Sequence, residues 1–427
     1  MKISVIGTGY VGTVSAACFA ELGHEVICVD IDPSKIDMLN RGVPPIYEDG
    51  LSELLEKHVG KNLKATSDYD FAINNSDVSF ICVGTPSDHD GKIDLGIIKA
   101  ASTSLGRTLR KKKGYHVIVV KSTVVPETTE KVVLATIEKE SGKSLGEFGI
   151  AMNPEFLREG KAVHDFLHPD KIVVGSLDKR SGDIVASLYS GLDCEVTRTN
   201  PRTAEMIKYV NNAFLATKIS FSNEVGNICK ELGIDTYEVM NAVGKDFRIG
   251  PHFLNSGAGF GGSCFPKDVK ALIGKAHEVG YEPTLLRSVI AVNEIQPLRM
   301  ITLLKNKLPD LKGKKIAVLG LAFKNDTDDI RESRSIPVIK ELIGEGAIVS
   351  AYDKMAIENM KRLFPDIDYC NSAIDALRGS DACLIMTEWS EFKSLDTEFN
   401  VMKNRLIIDG RHMQSFRKDV DYVGLCW

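Results

Sequence analysis

The stretch Lys2-Ile3-Ser4-Val5-Ile6-Gly7-Thr8-Gly9-Tyr10-Val11-Gly12 decides how the rest of the chain is read. Five residues of β-type sequence run into Gly-x-Gly-x-x-Gly. A helical stretch follows through Leu22, and Gly23 supplies the residue that closes it. A second apolar run, Glu25 to Val29, ends in Asp30, 23 residues after Gly7. A glycine fingerprint alone is weak, but this one follows a strand, opens a helix and has an acid at the required distance. Gly7 makes the turn, Gly9 lets the backbone approach a pyrophosphate, and Gly12 lets helix and strand pack closely. Tyr10 and Val11 open the helix, whose N-terminus favours phosphate. Asp30 suits the diol of an adenosine ribose and repels a 2′-phosphate, which selects NAD over NADP. The bland alternative is a βαβ turn with no ligand.

Working outward, Val78 to Val83 and Val117 to Val120 read as further strands. They end in Gly84-Thr85-Pro86 and Ser122-Thr123, at the strand C-termini where open α/β sheets bind ligands. A second, weaker unit starts at Lys314 to Leu319 and Gly320. Gly346 to Asp353 repeats the Gly-x-x-Val-x-x-x-Asp of Gly23 to Asp30, and Ser380-Asp381 echoes Ser76-Asp77. Its turn, Gly320-Leu321-Ala322-Phe323-Lys324, lacks the glycine fingerprint, so a different nucleotide fits better than a second dinucleotide. Between the units, Pro201 to Leu232 reads as one long helix, entered by Asn200-Pro201 and closed by Gly233. The expected fold is α/β: two Rossmann-like doubly wound domains joined by a long central helix. The expected divisions are 1–200, 201–300 and 301–427. The helix is expected to act as a spine and as a homodimer contact.

Composition agrees with an ordinary globular protein. The chain has 427 residues, 43% hydrophobic and 26% charged, enough for two or three domains at roughly 150 residues each. Net charge is -5 with no basic stripe, so no nucleic acid partner is expected. The run Arg110 to Lys113 reads as a helix end. No apolar run approaches the ~18 residues of a membrane span, and the first strand meets Gly7 too soon for a secretory leader. The nine cysteines include no Cys-x-x-Cys pair, and Cys28, Cys82 and Cys383 lie inside apolar strands. This usage fits a reducing, cytoplasmic location. No metal is called for.

The chemistry concentrates in Gly259-Phe260-Gly261-Gly262-Ser263-Cys264-Phe265-Pro266-Lys267-Asp268. Glycines bring backbone to a ligand, and Pro266 suits the start of a helix from about Lys267 to Ala276. Cys264 then precedes a helix N-terminus with Lys267 near, and both favour a thiolate. A buried cysteine in a glycine loop is the competing reading. Lys208 and Asn212 stand four apart on one helix face, as an ordinary amphipathic surface also would. Asn153-Pro154-Glu155-Phe156-Leu157-Arg158-Glu159-Gly160 reads as a ligand loop or a simple turn.

Taken together, these segments, with Arg248-Ile249-Gly250-Pro251-x-Phe253-Leu254 and Phe323-Lys324, resemble the nucleotide-sugar 6-dehydrogenases of the UDP-glucose/GDP-mannose dehydrogenase family. The resemblance covers essentially the whole chain, in order. It implies oxidation of UDP-glucose to UDP-glucuronate with two NAD⁺. Cys264 is implied as nucleophile, Asp268 and Lys208 as groups that activate or order water, and Lys208 and Asn212 as oxyanion stabilisers. Glu155 is implied as general base for hydrolysis, with Thr123 positioning a water. On the cofactor side the resemblance implies Lys35, Thr85, Ser122, Thr123, Glu159, Lys267 and Arg331. On the sugar-nucleotide side it implies Glu155, Phe156, Leu157, Phe253, Asn255, Ser256, Gly261, Phe323, Lys324 and Arg411. Arg248 matches an arginine that the family often contributes from a neighbouring subunit. Three alternatives stay open at this point: the same chemistry on GDP-mannose, a two-electron 3-hydroxy acid dehydrogenase, and a non-catalytic sugar-nucleotide sensor.

Overall fold

Runs of Val and Ile become the strands of the first unit, Met1–Val210. They are β1 (Lys2–Ile6), β2 (Glu25–Val29), β3 (Leu63–Thr66), β4 (Val78–Ile81), β5 (Val117–Val120), β6 (Gly149–Met152), β7 (Ile172–Ser176) and β8 (Val196–Thr199). The sheet order is β3-β2-β1-β4-β5-β6-β7-β8. Its pairs are parallel except β6 with β7. Alternate side chains feed two cores: Val5, Cys28, Phe80 and Val119 enter one, and Val29, Ile81, Ile118 and Val120 the other. Burial on both faces explains the continuous apolar runs. The computed structural model describes residues 1–86, 93–414 and 420–427.

The second unit, Asn211–Trp427, holds β9 (Lys315–Leu319), β10 (Ile348–Tyr352), β11 (Asp368–Tyr369), β12 (Ala382–Ile385), β13 (Leu406–Asp409) and β14 (Asp421–Gly424). Its parallel sheet runs β11-β10-β9-β12-β13-β14, the order of β3-β2-β1-β4-β5-β6. The echo seen in sequence reaches individual hydrogen bonds. Gly7 N donates to Val29 O at 2.7 Å, and Gly320 N to Tyr352 O at 2.8 Å. Asp77 accepts from Lys2 N at 3.1 Å, and Asp381 from Lys315 N at 3.1 Å.

The long helix spans Pro201–Leu232, as the sequence predicts, and Asn200 Oδ1 accepts from Thr203 N at its start. Gly233 closes it at φ +68°. Two boundaries differ from expectation. β4 stops at Ile81, whose carbonyl receives both Lys121 N and Ser122 N as the chain turns outward. The helix after Cys264 begins at Phe265 and runs to Glu278, slightly longer at both ends than Lys267 to Ala276, and Pro266 stands in its first turn as expected. Among the described residues, no helix is long and apolar enough to cross a membrane.

Candidate functional site

In the first unit the glycine turn has the steric character that its sequence predicts. Gly7 sits at φ +92°, a conformation that side chains rarely adopt. A Cβ on Gly12 would lie 1.9 Å from Gly7 O, so only glycine lets helix Tyr10–Glu21 approach β1 this closely. A Cβ on Gly9 would meet nothing within 4 Å, leaving an open approach at the helix start. Asp30 accepts from Thr8 N at 2.7 Å, from Thr8 Oγ1 at 2.6 Å and from Asp32 N at 3.0 Å. Partial burial raises the Asp30 carboxyl, but these donors and Lys35 outweigh it and hold it below the ordinary carboxylate range. Thr85 Oγ1 donates to Thr123 O at 2.8 Å, and Ser122 Oγ to Val83 O at 2.7 Å, which ties the two strand ends together. An open backbone, a helix N-terminus and an ionised acid beyond β2 fit a bound dinucleotide.

The counterpart in the second unit is filled. Asp353 is buried and accepts from Leu321 N, Ala322 N and Trp389 Nε1 on one oxygen, and from Met355 N and Ala356 N on the other. The chain after Gly320 runs on to Ser335 before a helix begins. Asp353 is thus spent on its own turn rather than open to a dinucleotide ribose, in accord with the missing glycines.

The Asn153–Gly160 loop follows β6. Asn153 is buried, donating to Val173 O and accepting from Lys121 Nζ at 3.1 Å and Tyr189 OH at 2.5 Å. Glu155 is buried against Lys208, with Nζ 2.9 Å from Oε1, and takes Leu157 N on Oε2 at 2.6 Å. Burial alone would raise its carboxyl, yet Lys208 and the Leu157 N–H hold it below the ordinary range. Lys208 and Lys171 also lie over the Phe156 ring. Glu159 stands near the loop's end, half-buried.

In the second unit, Cys264 is the exposed cysteine of the nine and stands at the N-cap of helix Phe265–Glu278. One turn on, buried Asp268 accepts from Asn212 Nδ2 at 2.7 Å and from Lys267 Nζ at 2.6 Å. The glycines before the thiol are packed into place. A Cβ on Gly261 would lie 2.3 Å from Glu332 O, and one on Gly262 would lie 2.7 Å from the Phe323 ring. Gly262 N donates to Arg331 O at 2.9 Å, and the Arg331 guanidinium forks onto Asp329. Lys324 lies over the Phe323 ring. Arg411 donates to Gly259 O at 3.1 Å. Cys264, Lys267, Asp268, Asn212, Gly261, Phe323, Lys324, Arg331 and Arg411 thus belong to one connected region of this unit. Phe253, at φ +62°, meets Phe265 edge-on, while Ser256 is buried and donates to Ser222 O. Asn255 is exposed. Arg248 is also exposed, and among the described residues it pairs with Asp246 on a surface turn.

Three functional-looking residues escape the sequence reading. Lys121 and Glu48 are buried hydrogen-bonding groups of the first unit. Buried Glu205 accepts from Glu127 N and Thr129 N, both at 2.7 Å, and burial lifts its carboxyl to about 7. The signal for Lys121 was a cation directly against the apolar run Val117–Val120. That for Glu48 was an acid inside the Pro- and Gly-rich segment 44–50.

A dinucleotide-type turn on one doubly wound sheet, and an exposed thiol at a helix start in the unit that holds a second sheet of matching strand order, fit an NAD-dependent dehydrogenase of two Rossmann-like units. Comparison with known proteins places it more narrowly. Family models described as the NAD binding, central and UDP binding domains of the UDP-glucose/GDP-mannose dehydrogenase family match residues 1–193, 202–295 and 317–415. The chain belongs to that family. It is 53% identical to UDP-glucose 6-dehydrogenase AglM of Haloferax volcanii, over 100% of both chains. It is 45% identical to UDP-glucose 6-dehydrogenase TuaD of Bacillus subtilis, over 98% of this chain and 90% of the relative. A solved UDP-glucose dehydrogenase from Pyrobaculum islandicum superposes with a TM-score of 0.94 at 41% identity, over 100% of this chain and 98% of that one.

Proposed function

We propose that the protein oxidises UDP-glucose to UDP-glucuronate through a covalent Cys264 intermediate. The observation that carries the reading is the exposed Cys264 at a helix start, one turn from an Asp268 held by Asn212 and Lys267. NAD⁺, when bound at the Gly7–Gly12 turn, accepts the hydride in each of two oxidations. The sugar's primary alcohol loses a hydride and a proton to give an aldehyde. An aldehyde holds no second transferable hydride in a useful form until a nucleophile adds. The Cys264 thiolate adds to it, the resulting thiohemiacetal loses a second hydride and a proton, and a thioester remains. Water cleaves the thioester to carboxylate and thiol.

Asn212 and Lys208, one turn apart on the long helix, stabilise the oxyanion at the reacting carbon. Asp268 and Lys208 order the hydrolytic water, Glu155 accepts its proton and Thr123 positions it. Glu155 suits this role as an ionised carboxylate whose charge Lys208 balances. Lys35, Thr85, Ser122, Glu159, Lys267 and Arg331 serve the cofactor. Phe323, Lys324 and Arg411 serve the uridine diphosphate, with cations matched to its charge. The three-part division 1–200, 201–300 and 301–427 belongs to the same reading. So does a homodimer in which Arg248 reaches a partner's substrate. Its support is a stripe of exposed apolar residues along the long helix: Met206, Val210, Phe214, Phe221, Ile228 and Leu232. Cysteine usage supports a cytoplasmic location.

Cys264→Ser tests the mechanism. UDP-glucose affinity is expected to stay close to wild type, and turnover to fall by at least ~10²–10³, the scale of losing one key transition-state contact. A sugar-nucleotide adduct should add mass to the intact Ser variant, because an ester hydrolyses more slowly than a thioester. Cys264→Ala should form no adduct. Near-normal release of two NADH per UDP-glucose from Cys264→Ala would remove the thiol from the mechanism. A parallel panel with GDP-mannose decides the base and sugar.

A further inference from the structure

Glu48 lies on the loop between helices Pro33–Asn40 and Leu51–His58, and it is 5% exposed. Burying a carboxylate is costly unless donors converge on it. Three do. Tyr10 OH donates to Oε2, Gly160 N donates to Oε2 at 2.8 Å, and Ala162 N donates to Oε1 at 2.7 Å. Gly160 N also reaches Tyr10 OH at 2.9 Å, which closes a three-membered network. The donors come from two distant parts of the first unit. Tyr10 is the first residue of the helix that the glycine turn opens. Gly160 ends the loop that carries Glu155 and Glu159, and Ala162 begins the next short helix. The loop's other end is fixed independently, by Asn153 on Lys121, Tyr189 and Val173.

An apolar contact would join these segments at less cost, but it would not set their spacing. Directional bonds to one carboxylate do. We propose that Glu48 is a positioning residue that, through Tyr10, couples the dinucleotide turn to the Asn153–Gly160 loop. A shift of the helix start moves the Tyr10 hydroxyl and, with it, the Gly160 end of the loop. Conversely, the clasp holds the helix start where it meets the cofactor. This rests on the dinucleotide and loop roles proposed above.

The test uses the full chain with Tyr10→Phe, Glu48→Gln and the double variant. Calorimetric titration with NAD⁺ comes first, because it needs no turnover. Each single variant is expected to bind NAD⁺ about tenfold more weakly, the scale of one hydrogen bond to a charged group. The double variant should be no more than about twofold worse than the weaker single, because both substitutions break one network. In steady state, the KM for NAD⁺ should rise while the KM for UDP-glucose stays within about twofold. A structural defect would move both and lower the melting temperature in proportion. Unchanged NAD⁺ affinity in folded variants, or fully additive losses, would overturn the proposal. If Glu48→Gln does not fold, Tyr10→Phe decides alone, since it removes one hydroxyl and keeps the ring. Wild-type protein that binds NAD⁺ but yields no NADH from UDP-glucose would overturn the substrate reading and leave the titrations to judge the clasp.

Discussion

Lys121 shows what burial does to a charge in the first unit, and the effect can be measured. The residue is 3% exposed, and its ammonium donates to Asn153 Oδ1 at 3.1 Å and Tyr189 OH at 3.4 Å. The Phe80, Phe166 and Tyr189 rings stand 5.8 to 6.0 Å away. Burial pushes its pKa from 10.5 down to about 8; Cys82 and Glu155 pull it back up, and Lys208 pushes it further down. The unfolded chain therefore holds the proton more tightly than the folded one. Between pH 8 and 10.5 the unfolded state binds more protons, so stability rises with pH across that window, and below pH 8 the whole penalty is present. The penalty is about 3 kcal/mol at pH 7 and under about 1 kcal/mol at pH 10. Lys121→Met keeps the length, removes the charge and leaves Asn153 Oδ1 with Tyr189 OH as donor. Lost hydrogen bonds offset part of the gain at every pH, so the informative quantity is the change with pH. The variant's stability relative to wild type should decline by about 2–3 kcal/mol from pH 7 to 10. For a unit of this size that moves the melting-temperature difference by roughly 5–10 °C. Scanning calorimetry of both proteins at several pH values reads it directly. A difference that stays flat across the window would refute the argument, because the ammonium would then titrate alike in both states.

Two further outcomes are expected. Asp30→Ser should narrow the preference for NAD over NADP, through weaker NAD binding and loss of charge repulsion, and an unchanged ratio of kcat/KM values would remove Asp30 from the ribose. Phe214→Glu with Phe221→Glu places charge on residues 63% and 54% exposed, so sedimentation should show dissociation with little change in melting temperature. A wild-type monomer with full activity would end the dimer reading.

The sequence makes some parts of this structure plain and hides others for a physical reason. The glycine turn, the strands Val117–Val120 and Glu25–Val29 and the long helix are local. Period, caps and φ-specific glycines declare them within a few residues. The echo of Gly23–Asp30 in Gly346–Asp353 marks the second Rossmann-like unit. By contrast, Glu48 meets Gly160 across 112 positions, and Asp268 meets Asn212 across 56. Such partners are set by how strands and helices are ordered, and no periodicity encodes them. Lys121 carries only a local signal, a cation against an apolar strand, which points to neither of its partners Asn153 and Tyr189.

The two sheets share a strand order over six strands but differ at the acid that follows the second strand. Both sheets have the same order, the same Gly7-like turn bond and an acid after the second strand. Topology therefore does not decide which one takes a dinucleotide. What differs is occupancy. Asp30 is only partly buried, accepts from Thr8 and Asp32, and faces a helix start where Gly9 leaves open space. Asp353 is 1% exposed and spends both oxygens on four backbone N–H groups and the Trp389 indole. The first acid keeps acceptor capacity at the surface, where a ribose diol can use it. The second has become a structural pin for its own turn, and it holds the backbone that leads from Gly320 to Phe323 and Lys324. One strand order thus carries two arrangements of the acid: in the first unit it keeps acceptor capacity that suits the ribose role we propose for Asp30, and in the second it braces the turn that leads to Phe323 and Lys324.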